Sequence, residues 1–136
     1  MGLALPVWLA LGLLAGPHMQ APTTWVLWLS LIVVQPLLEE LAFRGILQGQ
    51  LLHLTAKAGL SRRWWAPVSL ANVLVTVAFV LLHLRSQPLA WALAVAVPSL
   101  VFGHLRERFA SIWPSVGLHA YYNLGFAVTA WWANAH

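Results

Sequence analysis

The chain reads as apolar runs separated by turn residues and short basic clusters. Leu3 to Ala15 is the first run and closes at Gly16-Pro17; Thr23-Thr24 then offer hydroxyls to cap a helix that continues to about Leu54. Further runs span about Trp64 to Leu84, Leu89 to Leu105 after Pro88, and Ile112 to Trp132. Their lengths approach the ~20 residues that cross a hydrocarbon core as a helix. The pattern predicts an all-α, polytopic transmembrane bundle of about five helices, built as a single domain over residues 1–136. The second run is too long for one simple span. It carries Pro36 just before an acidic pair, so a kink is predicted there.

Composition sharpens this reading. Charged residues make up 7% and apolar ones 61%, and three acids with seven bases cannot cover a soluble domain. Of the nine tryptophans, Trp8, Trp25, Trp64, Trp65, Trp113 and Trp132 lie near the ends of apolar runs, where an indole suits the membrane interface. The net charge of +4 does not point to nucleic acid, because the bases sit in short clusters between apolar runs. Lys57, Arg62 and Arg63 share one predicted side with Arg106 and Arg108, while Arg85 falls opposite. That bias predicts a bacterial inner (plasma) membrane protein with a cytoplasmic N-terminus and an exported C-terminus. No Lys or Arg precedes Leu3 to Ala15 and no small-x-small cleavage site follows it, so it is read as a retained helix. There is no cysteine, which excludes disulfides, thiolate catalysis and Cys-ligated zinc.

Glu39 and Glu40 follow an uncharged stretch from Thr23 to Leu38, deep within a span. Glu40 and Arg44 are four apart on a helix and can pair, whereas Glu39 points about 100° away, free for a polar pocket. A structural ion pair is the bland reading, yet two adjacent acids exceed what one arginine needs. Phe79 and His83 share a face as F-x-x-x-H, and His119 and Asn123 as H-x-x-x-N. Taken singly, His83 reads as a helix-end residue, while His119 with Asn123 reads equally as a converging donor pair or as helix-packing hydrogen bonders.

Together the motifs E-E-x-x-x-R, F-x-x-x-H and H-x-x-x-N resemble the CPBP (Abi) family of CAAX- and bacteriocin-processing enzymes, which includes the Ras-converting endoprotease. The resemblance rests on Glu39-Glu40-Leu41-Ala42-Phe43-Arg44-Gly45, Phe79 to His83 and His119 to Asn123. Phe102 to Arg106 and Ser111 to Pro114 are similar as well, giving a motif core of about 35–126. Many relatives carry extra helices, so this chain resembles a short single-domain member. The resemblance implies a glutamic intramembrane protease in which Glu39 and His83 activate a water. His119 and Asn123 stabilise the oxyanion, with Glu40, Arg44 and Phe79 in support.

No cofactor is expected. The mechanistic rival is a zinc site using Glu39, His83 and His119, although H-E-x-x-H spacing is lacking. A second class of function is a non-catalytic bacteriocin-immunity or partner-binding scaffold; a transporter is disfavoured by the lack of inverted repeats. The expected partner is a membrane-embedded or membrane-anchored protein: a C-terminal sorting segment, a prenylated tail or a leader peptide. Blander readings apply elsewhere. His53, Lys57, Arg62 and Arg63 are loop or headgroup residues, His18 and His136 are interfacial, and Tyr121 and Tyr122 anchor packing. His104 is a candidate to approach the site, and Gly45, Gly49, Gly103, Gly117 and Gly125 are expected to permit close helix contacts. His83 falls late and His119 early in helices that run parallel, an expected depth difference of roughly 10 Å.

Overall fold

The computed structural model describes residues 21–60 and 68–132, with the backbone of 133–135. The predicted helix at Leu3 to Ala15 and the loop residues Arg62 and Arg63 lie outside them. Among the described residues the helices are α1 (Trp25–Lys57), α2 (Leu70–His83), α3 (Leu89–Ala94), α4 (Ala96–Phe109) and α5 (Trp113–Ala135). Since α3 and α4 continue one another across Val95, these form four rods; α1 and the Leu89–Phe109 rod are long and apolar enough to cross a membrane. The 14-residue α2 is shorter, about 21 Å.

The second apolar run is one helix of 33 residues, and the disturbance expected at Pro36 takes the form of a π turn over Ser30–Val34. There the Gln35 N–H reaches back five residues to Ser30 O. The next donor in that register would be Pro36, which has no N–H, so Leu31 O loses its helical partner. A second π stretch covers Leu41–Leu47, where the Gln48 N–H bonds Phe43 O and thereby skips Arg44 O. The Arg106 Nε donates to that skipped carbonyl at 3.2 Å.

The other ends have local causes too. Thr24 caps α1 through its hydroxyl, and the helix closes at Gly59, whose φ of +70° permits the Leu60 N–H to bond Thr55 O. Helix α2 begins at Leu70, later than the expected Trp64, where Ser69 caps it by accepting from the Asn72 N–H at 3.0 Å. Pro98 has no N–H for Ala94 O, which accounts for the break at Val95. Ala110, at φ 50°, ends α4 four residues beyond the expected Leu105 region.

The bundle is polar inside and apolar outside. Glu40, Arg44, Gln48, Ser99 and Ser115 have no exposure at all, while Leu38, Leu81, Leu93 and Val97 are more than half exposed. Water would reverse this arrangement; lipid accepts it. Glu40, Arg44 and Gln48 recur every turn of α1 and face Ser99, Gly103 and Glu107 on α4 and Ser69, Asn72 and Thr76 on α2. The Gln48 amide donates to Gly103 O (3.0 Å) and to Glu107 (2.8 Å), Ser69 donates to Glu107, and Asn72 donates to Leu100 O (2.9 Å). These bonds set the helix register without a hydrophobic driving force between the rods.

Close approach occurs at Gly103, where an added Cβ would meet Asn72 Oδ1 at 1.9 Å. The expectation for the other glycines fails in part. A Cβ at Gly49 or Gly117 would meet nothing within 4 Å, and one at Gly45 makes ordinary contacts.

Candidate active site

Three helices carry the expected residues: His83, His119 and Asn123 line one cavity, Glu40 meets Arg44 and His119, and Glu39 approaches His119 from outside the residues that line the cavity. The helical i, i+4 spacing places Glu40 Oε2 3.2 Å from Arg44 Nε, with both side chains fully buried. The N–H is poorly aligned, so this is an ion pair rather than a well-formed hydrogen bond. A buried guanidinium needs further partners. Arg44 Nη2 donates to Ser99 Oγ (2.8 Å) and Ser99 O (3.1 Å), and Ser99 Oγ in turn meets Thr76 Oγ1 at 2.9 Å. The guanidinium also lies over the Phe79 ring at 4.9 Å and near the Phe102 ring at 5.7 Å.

The other oxygen of Glu40 holds His119, with Nδ1 to Oε1 at 2.9 Å. An ionised carboxylate only accepts, so His119 Nδ1 carries the proton. Its Nε2 then faces Glu39 Oε2 at 3.8 Å, too far for a direct hydrogen bond. Glu39 is 31% exposed at its side chain while Glu40 is sealed, which separates the two acids as their 100° offset on the helix requires. The imidazole is stacked on Phe102, centroids 5.0 Å apart at 20°.

His83 Nδ1 lies 2.9 Å from Phe79 O. A carbonyl cannot donate, so Nδ1 bears the hydrogen and Nε2 of the neutral ring keeps its lone pair. Asn123 Nδ2 donates to Leu31 O at 2.9 Å, filling the vacancy left by Pro36; an amide carries two N–H groups, so one remains for a ligand. His83, His119 and Asn123 all line one cavity of about 90 Å³, together with Phe79, Trp91, Phe102 and Phe126.

The two histidines, expected at different depths, line the same cavity. Ser115 donates to Phe102 O and Asn72 to Leu100 O, so α5 and α2 start at similar levels relative to α4. Phe79 spans the gap: its ring lies 4.4 Å from His83 and 6.3 Å from His119. His104 does not line the cavity; it borders an open groove with Val68, Leu100 and Val101. Tyr122, read as a packing residue, lines the cavity and lies 6.1 Å from Phe102.

Ser99, Thr76 and Ser115 escaped the sequence reading. The available signal was a hydroxyl inside an apolar run, which is weak because Ser and Thr satisfy themselves on their own helix. Among the described residues no group of three His, Asp or Glu side chains has the spacing to hold a metal ion. Glu39 and Glu40 approach opposite nitrogens of one imidazole, which points their oxygens at different places.

The family model for Type II CAAX prenyl endopeptidase Rce1-like proteins matches residues 21–125. The chain belongs to this family. Membership makes it an integral membrane protein of a protease family that acts on membrane-associated substrates, in line with the motif resemblance and with a polar interior under an apolar surface. The residues gathered above fall inside the matched stretch, except Phe126, which lies one position beyond it. No curated protein and no solved structure matches the chain.

Proposed function

We propose that the chain is an intramembrane endopeptidase of the glutamic type, using a water activated by Glu39 and His83 without a resident metal. The observation that carries this reading is His119, held between Glu39 and Glu40 beside a cavity that His83 and Asn123 also line.

The water oxygen attacks the scissile carbonyl carbon, and Glu39 takes its proton. His83 Nε2 accepts a hydrogen bond from the water and orients its lone pair. The carbonyl oxygen becomes an oxyanion facing N–H donors of Asn123 and of His119 when that ring carries both protons. Collapse breaks the C–N bond and the proton on Glu39 passes to the leaving nitrogen, giving a carboxylic acid and an amine; the acid's remaining water-derived proton then passes to the amine, leaving a carboxylate and an ammonium group. Arg44 and Ser99 keep Glu40 in place, and Glu40 keeps His119 in place, so little reorganisation is needed during the reaction.

The substrate we favour is a C-terminal sorting segment of an exported protein, ahead of a prenylated tail or a bacteriocin leader. The orientation follows the basic loops, with the N-terminus cytoplasmic in a bacterial inner membrane. Co-expression with tail-anchored candidates and mass spectrometry of the cut ends identifies the substrate. Glu39→Gln, His83→Ala and His119→Ala should each lower cleavage by about 10²- to 10⁴-fold with helical circular dichroism retained. Full activity of purified Glu39→Gln protein would end the proposal. An immunity or binding role that survives this substitution would replace the enzyme with a scaffold.

A further inference from the structure

The cavity beside His83 and His119 is small. It measures about 90 Å³ and is open on one side. Water occupies about 30 Å³ per molecule in the liquid, and a cavity that takes up one benzene ring measures about 150 Å³. The space between its walls is thus smaller than a cavity that takes up one benzene ring, and it does not hold an aromatic side chain.

Its walls are pinned. Phe79 is 2% exposed, set edge-on to Phe43 at 5.0 Å and capped by the Arg44 guanidinium. Phe102 is equally buried and stacked on His119. The remaining wall is Trp91 on α3, packed against Phe126 of α5 with centroids 5.2 Å apart at 65°. Trp91 precedes the Val95 break and makes no bond to the polar seam, so it is the wall that can be trimmed without disturbing Arg44 or Glu40. Enlarging a packed aromatic site by displacing its walls forces side chains off their rotamers.

We infer, on the proteolytic reading above, that this aromatic box is a size filter for the substrate. One residue flanking the scissile bond enters it and carries a small side chain such as that of Gly, Ala or Ser; Trp91 and Phe126 set the limit. A long prenyl or acyl chain does not occupy this cavity and lies instead along the apolar outer surface of the bundle. Steric selection in a rigid apolar pocket reaches about 10- to 200-fold per misfitting group. Cleavage with Ala at the filtered position should therefore exceed that with Phe by about 100-fold in kcat/KM.

The test uses the full chain, purified and reconstituted in phosphatidylcholine and phosphatidylglycerol vesicles. Its probe is a library of tail peptides with one apolar span of about 20 residues and varied Gly, Ala, Ser, Val, Leu and Phe around it. Mass spectrometry of the cut ends is expected to show small residues on one side of every cut. Trp91→Ala, and the milder Phe126→Leu, should bring Leu and Phe at that side to within about 10-fold of Ala. Wild-type cuts with Phe on both sides at comparable rates would overturn the filter while leaving proteolysis intact. So would an undiminished preference in folded Trp91→Ala and Phe126→Leu proteins. If neither variant folds, the wild-type preference decides alone. No cleavage of any peptide by the wild type would remove the proteolytic reading and the filter with it.

Discussion

Replacing Gly103 by alanine tests whether the contact between α2 and α4 holds the site together. The new Cβ would lie 1.9 Å from Asn72 Oδ1, 2.3 Å from its Cγ and 2.8 Å from its Nδ2, all below the 3.0 Å that real Cβ atoms respect. Either the amide withdraws or the helices part. Asn72 is 1% exposed and its Nδ2 donates to Leu100 O, so withdrawal leaves buried polar groups unpaired at a cost of about 1–3 kcal/mol. Spreading the helices carries an overpacking cost of about 1–3 kcal/mol. Either route gives a loss of about 1–3 kcal/mol, read as a melting temperature lowered by several degrees. Heating in detergent while following the fluorescence of the nine tryptophans measures it. The double variant Gly103→Ala, Asn72→Ala should recover at least half of the loss, because the clashing atoms are gone. Cleavage should follow stability, since Ser99 lies one turn before Gly103 on the same face and holds Arg44. A Gly103→Ala protein as stable as wild type, or a double variant with additive losses, would refute the reasoning.

Two further outcomes are expected. Arg44→Met leaves the fully buried Glu40 carboxylate without its counter-charge and should cost about 3–5 kcal/mol, whereas Glu40→Gln combined with Arg44→Met should be the more stable protein; thermal melts of both variants check the order. Peptide cleavage should persist after dialysis against 1,10-phenanthroline with no zinc found by elemental analysis; activity lost and then restored by zinc would make Glu39, His83 and His119 metal ligands.

Much of the site was legible because its motifs are local. A helix of 3.6 residues per turn brings Glu40 to Arg44, Phe79 to His83 and His119 to Asn123 whatever the rest of the chain does, and it turns Glu39 aside. The apolar runs likewise declare a membrane bundle, because so few charges leave no other solvent for the outer surface. Pro36 was visible as a disturbance. Its result was not, since a helix can meet a missing N–H by kinking or by widening a turn, and the choice depends on what reaches the orphaned carbonyl. Here that group is Asn123, from a helix far along the chain.

The tertiary structure alone decided which faces meet and at what height. That His119 bonds the sealed acid Glu40 and faces the open acid Glu39, that Arg44 ends on Ser99, and that Gly103 rather than Gly49 or Gly117 is the close contact all depend on axial register. Periodicity determines a direction around each helix and carries no information about sliding along it. The register comes from a few buried polar bonds between helices, Gln48 to Glu107 and Asn72 to Leu100 among them, whose partners lie dozens of residues apart in the chain.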